Sequence, residues 1–336
     1  MKIKISFILP GYNVENYVLE CIESILRQPI ENIEIIYVDD KSTDKTLQIC
    51  ELFARKDQRV KVVVHEKNKG SYAARNTGLS LASGEWVVFI DPDDLVSPNF
   101  FSAIQPTLEN SESDLVVYNY ESFNDGGRLP SVDYSESTHF ASQADLLNLK
   151  AFAWLKLIKR SFLIQSGIRF YEGKTMWDIL FHWQVVLACK SPIYLDQKLL
   201  WYRQRSSASS YRVDWYRAEG FEVMYQLHEW LCAKEITPEI NAIFYKQELN
   251  LYCDIRLAFF MNYSLEKRAD EIIKKRLTAS HWDLISRGAL ASGRGRDYLL
   301  TCCRPSGIKW TCALILPALR YYVYRCARVL KLSLKL

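Results

Sequence analysis

Five short runs in the first 120 residues are apolar at almost every position: Lys4–Leu9, Glu34–Val38, Val60–Val64, Trp86–Ile90 and Leu115–Tyr118. They are rich in Ile, Val, Phe and Tyr, the composition of strands buried on both faces of a parallel sheet. Between them the apolar positions change period. Val14, Tyr17, Val18, Cys21, Ile22 and Ile25 recur at helical spacing, which predicts a helix over Val14–Leu26 with Asn13 as its N-cap. Thr46–Arg55 and Tyr72–Leu81 predict the next two helices, and Pro98 marks the start of another. Strand and helix in alternation predict an α/β fold built on an open, doubly wound, mostly parallel sheet.

The pattern then loosens. Residues 121–140 are polar and contain Asn124-Asp-Gly-Gly127, which predicts a loop or hairpin insertion. Short helices mix with extended segments at Ile193–Leu195 and Leu199–Tyr202, and helical patterning takes over from Asp214. The serine-rich stretch at 206–210 places a boundary near residues 206–214, dividing the chain into a catalytic domain over 1–210 and a helical region over 211–336. No run of uncharged apolar residues reaches the roughly 18 needed to span a bilayer, and the N-terminus does not read as a secretory signal.

Charge changes the picture at the C-terminus. The chain carries a net +4, but no acid follows Asp297, whereas Arg304, Lys309, Arg320, Arg325, Arg328, Lys331 and Lys335 do. Within 304–336, Ile308, Cys312, Ile315, Leu319, Tyr322, Cys326 and Val329 recur at three- or four-residue spacing, and Arg320, Tyr324, Arg328, Lys331 and Lys335 recur on another face. A basic amphipathic tail points to an anionic membrane surface and to peripheral attachment on its cytoplasmic side. The alternative is a terminal helix pair packed on the catalytic domain. Nucleic acid is not expected as a partner, because no basic path runs through the rest of the chain. Nine cysteines without a CxxC pair read as reduced thiols.

Ligands of open parallel sheets bind outside the carboxyl ends of the strands, and polar residues collect there in this chain. Tyr12 and Asn13 follow the first strand, Asp39 and Asp40 the second, His65 to Asn68 the third, and Asp91-Pro92-Asp93-Asp94 the fourth. Three carboxylates in four residues repel one another unless a cation sits between them, and hard oxygen ligands suit Mg²⁺ or Mn²⁺ shared with phosphate. A turn with a helix cap would account for one of the three.

These stretches, Ser6-Phe-Ile-Leu-Pro-Gly-Tyr-Asn13, Ile35-Ile-Tyr-Val-Asp-Asp-Lys-Ser-Thr-Asp44, Ala73-Ala-Arg-Asn-Thr-Gly78, Gly84-Glu-Trp-Val-Val-Phe-Ile-Asp-Pro-Asp-Asp94 and Trp154-Leu-Lys156, resemble the family-2 glycosyltransferases of GT-A fold, over residues 3 to about 210. The resemblance implies a nucleotide-sugar donor, with UDP as the usual nucleotide; a glycan or glycolipid acceptor carried on a lipid is the expectation that the tail adds. It implies that Pro10, Tyr12, Asn13 and Asp40 line the nucleotide pocket, that Arg75 faces the nucleotide, and that Asp91 and Asp93 form the DxD element meeting ribose and metal, with Asp94 as a further acid. It places the catalytic base at Asp178, in Lys174-Thr-Met-Trp-Asp-Ile-Leu-Phe-His182, where Trp177 stands in place of the usual Glu. A helix cap is the other reading of Asp178. Arg203 and Arg205, in Trp201-Tyr-Arg-Gln-Arg205, match the segment that closes over the pyrophosphate, a task suited to guanidinium. Trp154 and Lys156 either touch the acceptor or pack the domain. Pro92 departs from the Ser usual in the family, and the processive QxxRW signature is absent from Trp201–Arg205.

The expected reaction is inverting transfer to a hydroxyl. A sugar-nucleotide sensor or scaffold without turnover is the non-enzymatic alternative. A nucleotidyltransferase would want a Gly- and Arg-rich loop after the first strand, and a dehydrogenase a GxGxxG; Pro10-Gly-Tyr-Asn13 supplies neither.

Overall fold

A computed structural model describes residues 4–110, 112–135, 138–172, 176–205 and 219–259. The chain separates into two compact units, Met1–Arg212 and Val213–Leu336. The 206–214 boundary and the 304–336 tail fall outside the described residues. No described helix is long and apolar enough to cross a membrane.

The first unit opens as the periodicity predicts. Strands β1 (Ile5–Gly11), β2 (Ile33–Asp39), β3 (Val60–Val64) and β4 (Trp86–Phe89) alternate with helices α1 (Val18–Leu26), α2 (Thr46–Lys56) and α3 (Ser71–Leu81). These strands lie in parallel order β3-β2-β1-β4. Their carboxyl ends therefore share one edge. Beyond β4 come β5 (Leu95–Val96), α4 (Phe100–Asn110), β6 (Leu115–Asn124), β7 (Thr138–Phe140), α5 (Gln143–Leu147), β8 (Lys156–Lys159), α6 (Arg160–Ser166), α7 (Asp178–Ala188) and β9 (Ile193–Gln204). The sheet continues β8-β6-β9-β5, with β8 antiparallel to both β4 and β6, and β7 pairing with β9. The fold is thus the expected α/β sheet, parallel in its first half and mixed in its second. In the second unit, α8 spans Glu219–Cys232 and α9 Pro238–Phe259.

Two local expectations change. The first helix begins at Val18, not Val14, and Asn13 does not cap it. Asn13 adopts a left-handed backbone (φ 52°), and its Oδ1 accepts from the Thr43 backbone N–H at 2.8 Å. Its side chain is spent on joining the β1–α1 loop to the β2–α2 loop. The extended segments around 193–202 are one twelve-residue strand, β9, because β6 continues beside it to Asn124.

Helix α3 lies close on β1 because Gly78 has no side chain; a Cβ there would stand 2.3 Å from Ile8 Cγ2. Arg75, one turn earlier, is thereby set near the carboxyl edge. At the opposite edge Glu34 is buried in an apolar strand. Its carboxylate accepts from Ser6 Oγ (2.6 Å), Lys61 Nζ (2.7 Å) and the Ser83 backbone (2.6 Å). Burial alone would raise its pKa, but these bonds outweigh it and bring the group from 4.5 down to about 2. A folded pKa below the unfolded one gives stability that is full above about pH 4.5 and is lost as pH falls through the folded value. The shift corresponds to about 3 kcal/mol. Glu34→Gln should remove this acid-sensitive part, giving a lower melting temperature at pH 7 and a flatter dependence between pH 5 and 2 in thermal unfolding. A variant with the unchanged acid profile would overturn the assignment.

Candidate active site

At the carboxyl edge one arginine organises two acids distant in sequence. Arg75 is buried, and its Nη2 donates to Asp91 Oδ1 at 2.7 Å while Nη1 donates to Asp178 Oδ1 at 3.0 Å. Its guanidinium lies 5.4 Å from the ring centroids of both Tyr72 and Phe170. The segment bearing Phe170 is fixed to α3 by Asn76, which donates to the Phe170 carbonyl (2.8 Å) and accepts from its N–H (3.0 Å). Burial, which by itself would weaken a cation, is outweighed by Asp178 and Asp91, so Arg75 stays charged.

Asp178 is the first residue of α7, and the residue before it, Trp177, makes no side-chain cap. The carboxylate turns instead to Arg75. Trp177 N–H donates to Tyr72 Oη at 3.1 Å, which holds the start of α7 against α3. Burial raises the Asp178 pKa and Asp91 adds to this, while Arg75, Lys156 and a hydrogen bond from the Ala153 backbone oppose it. Lys156 is fully buried, donates to the Phe152 carbonyl at 2.6 Å, and is lowered to about 7, chiefly by burial. The pattern Trp154-Leu-Lys156 drew attention to Lys156, but its place beside Asp178 could not be read from spacing.

The acid turn is unevenly open. Asp91 is 32% exposed and Asp93 16%, whereas Asp94 is buried. Asp94 Oδ1 accepts from the Arg203 backbone N–H at 2.8 Å, and its Oδ2 is buried without a hydrogen bond. Asp93 pairs with Arg205 Nη2. Burial, then the neighbouring acids, raises the pKa of both Asp93 and Asp94.

Where the nucleotide pocket is expected, Pro10 lies in β1, one residue before its end at Gly11, and Tyr12 is 47% exposed just beyond the strand. Asp40 is buried, and both its oxygens are engaged. Oδ1 accepts from Lys69 N–H (2.8 Å) and meets His65 Nδ1 (2.7 Å), and Oδ2 accepts from Gly70 N–H (2.7 Å). His65 Nε2 in turn meets Thr77 Oγ1 at 2.9 Å. Asp40 thus ties the β2 end to the loop that enters α3.

The two arginines expected on the pyrophosphate differ. Arg203 donates through Nε to the Asp93 carbonyl (2.9 Å), through Nη1 to Asp125 (3.1 Å) and through Nη2 to Glu20 (2.6 Å). It is a strut joining β9, α1 and the turn after β6 to the acid turn. Arg205 pairs with Asp93, lies 4.9 Å from the Tyr17 ring, and keeps a buried Nε without a hydrogen bond. Tyr17, expected only as part of an apolar helix face, carries both guanidiniums, with Arg203 at 5.2 Å. Nothing in local spacing foretells this, since its partners lie far along the chain.

Among the described residues no three His, Cys, Asp or Glu side chains converge as a metal cage. The carboxylates of Asp91 and Asp93 nevertheless offer the hard, partly open oxygens that Mg²⁺ and Mn²⁺ take, since such ions draw on one or two carboxylates with the rest from phosphate and water. The donor set therefore fits a divalent ion.

Residues 6–166 match the family described as Glycosyl transferase family 2. Glycosyltransferase GlyG of Streptococcus pneumoniae is 32% identical over 221 residues, covering 61% of this chain and 72% of GlyG. Glycosyltransferase GlyA of the same organism is 35% identical over 221 residues, covering 62% of this chain but 31% of GlyA. The crystal structure of S. aureus TarS 1–349 in complex with UDP-GlcNAc superposes with a TM-score of 0.70 at 22% identity, covering 89% of this chain and 90% of that one, and so has the same fold. With the matched motifs gathered on one sheet edge, the chain belongs to the family-2 glycosyltransferases.

Proposed function

We propose that the chain transfers a sugar from a nucleotide-sugar, a UDP-sugar, to a hydroxyl of a glycan acceptor with inversion at the anomeric carbon. The observation that carries this reading is Arg75, which holds an acid of the donor turn, Asp91, and the acid at the start of α7, Asp178, in one frame. Donor chemistry and proton removal need a fixed mutual geometry, and a buried bidentate cation supplies it. Asp178 takes the proton from the acceptor hydroxyl as its oxygen attacks the anomeric carbon. The bond from that carbon to the diphosphate breaks, and its electron pair leaves with the nucleoside diphosphate. Asp91 and Asp93 would hold Mg²⁺ or Mn²⁺, which supplies charge neutralisation for the diphosphate when bound. Arg205, with one buried N–H still to satisfy, meets the pyrophosphate. Arg203 fixes the turn, while Pro10, Tyr12, Asn13 and Asp40 shape the nucleotide pocket through their loops. The TarS complex with UDP-GlcNAc supports UDP as the nucleotide. The acceptor is carried on a lipid at the inner face of the membrane, where the basic 304–336 segment attaches.

A thermal-shift screen of UDP-, GDP- and dTDP-sugars with and without Mn²⁺ tests the donor and metal together, because a ligand that binds the native state raises its melting temperature. UDP-sugars should give the largest rise, Mn²⁺ should enlarge it, and Asp93→Asn should shrink it sharply. Undiminished donor affinity and turnover in EDTA would remove the metal from the proposal. A protein indifferent to every nucleotide would remove the transferase.

A further inference from the structure

The edge that bears Asp91 also bears a pile of aromatic rings. β8 runs antiparallel to β4 and β6, pairing Leu157 with Val88 and Lys156 with Val117. The residues before Lys156 therefore continue past the end of β4, towards the acid turn, and Tyr120 lies the same way along β6. Tyr202 stands on β9 opposite Ser122. Phe152 and Trp154 stack at 4.6 Å and 16°, Trp154 and Tyr202 at 5.4 Å and 14°. Tyr120 meets Trp154 edge-on at 5.2 Å and 88°. Trp154 is the foundation of the pile: it is 3% exposed, and its carbonyl accepts from Tyr118 Oη at 2.6 Å. Phe152, Tyr120 and Tyr202 pack against the core from one side and are only half-buried, so each retains accessible surface.

The pile lies beside the helix that Asp178 begins. Ala153, between Phe152 and Trp154, belongs to the short turn Ala153–Leu155, which packs against α7. The Phe152 carbonyl is held by the Lys156 ammonium at 2.6 Å. Any hydroxyl presented to Asp178 thus has this aromatic wall beside it.

We infer that the half-buried rings of Phe152, Tyr120 and Tyr202 form the acceptor subsite and receive the C–H face of a sugar ring, so that the acceptor group is a cyclic sugar and not an open-chain polyol phosphate. The inference rests on the transferase reading of Asp178. A sugar ring has one flat patch of C–H groups and a rim of hydroxyls. Its patch fits the negative face of an aromatic ring, which leaves the rim free for hydrogen bonds. A polyol phosphate has no such flat patch, and its charge calls for cations, whereas the pile offers only rings and phenol hydroxyls. Stacked rings with few rotatable bonds lose little freedom when they bind.

The test is saturation-transfer NMR on the full chain in the presence of UDP, with methyl β-glucopyranoside, methyl β-galactopyranoside and ribitol 5-phosphate as separate probes. Saturation should concentrate on the C–H protons of one pyranoside face and be weak on ribitol phosphate. Phe152→Leu keeps apolar volume and removes the ring; it should weaken pyranoside binding about tenfold, a loss of the size expected for one stacking contact. Tyr120→Leu serves the same purpose from another strand should Phe152→Leu fail to fold. The thermal response to UDP should stay unchanged in both. Ribitol phosphate saturated as strongly as the pyranosides, or pyranoside binding equal to wild type in the leucine variants, would overturn the subsite. A response to UDP without pyranoside contact would overturn the subsite alone. One-face pyranoside contact with no response to any nucleotide would keep the subsite and overturn the transferase reading.

Discussion

Asp178→Asn should bind the nucleotide-sugar as tightly as wild type and transfer its sugar about 10²–10⁴-fold more slowly, the usual contribution of a general base. The amide keeps the shape of the carboxylate and can still accept from Arg75 Nη1, so the frame around Asp91 survives. What it cannot do is take a proton. The product of the wild-type reaction should carry the anomeric configuration opposite to the donor's, as a single displacement requires. The pH–rate profile gives an independent check. Burial holds the Asp178 pKa above the ordinary carboxylate value of 3.8. The active, ionised form is therefore lost as pH falls through a raised value, and the acid limb of the wild-type profile should lie above the ordinary carboxylate range and vanish in the variant. A near-normal rate in Asp178→Asn, or retention of configuration by NMR, would remove Asp178 from the chemistry.

Arg75→Met should damage both stability and donor binding. The methionine fills part of the space between Tyr72 and Phe170 but leaves Asp91 and Asp178 facing one another without their cation. Removing one partner of a buried ion pair costs about 3–5 kcal/mol, because the other charge stays buried and uncompensated. For a unit of this size that amounts to roughly 10 °C in melting temperature. Part of the cost should return in the double variant Arg75→Met with Asp178→Asn, since the second change removes the charge that the first stranded. A double-mutant cycle by urea unfolding reads this coupling, with about 0.5–3 kcal/mol expected for groups in direct contact. A single variant that melts as wild type and binds donor normally would show that Arg75 is not the organiser of the site.

The sequence carries the parallel half of the sheet plainly, because strands buried on both faces must be apolar throughout. Phe7, Ile36 and Val88 have no polar alternative at their positions. It carries the acid turn for the opposite reason, since Asp91, Asp93 and Asp94 crowd together against their own repulsion. It does not carry what long-range partners decide. Asn13 looks like a cap until Thr43 takes its side chain. Asp40 has the place of a ligand, yet the Lys69 and Gly70 amides occupy its oxygens. Arg203 and Arg205 are chemically alike and two residues apart, which alternation would place on one face, yet Arg203 on β9 reaches Glu20 and Asp125 while Arg205, just past the strand's end, pairs with Asp93. Glu34 had a local signal, a lone carboxylate in an apolar run, that a strand-finding argument passes over.

The strut made by Arg203 also sets an order of assembly during synthesis. Strands β1 to β4 and the helices between them are complete once residue 89 has emerged. Asp94 acquires its hydrogen bond only from a backbone amide 109 residues later, and the Asp93 carbonyl only from the side chain of that same residue. Long-range pairings of this kind form after the local ones. In a nascent chain halted before β9 the parallel half of the sheet is present while the acid turn stays unfinished, so the proposed competence for catalysis arrives with the last strand of the unit, not with the strands that bear the acids.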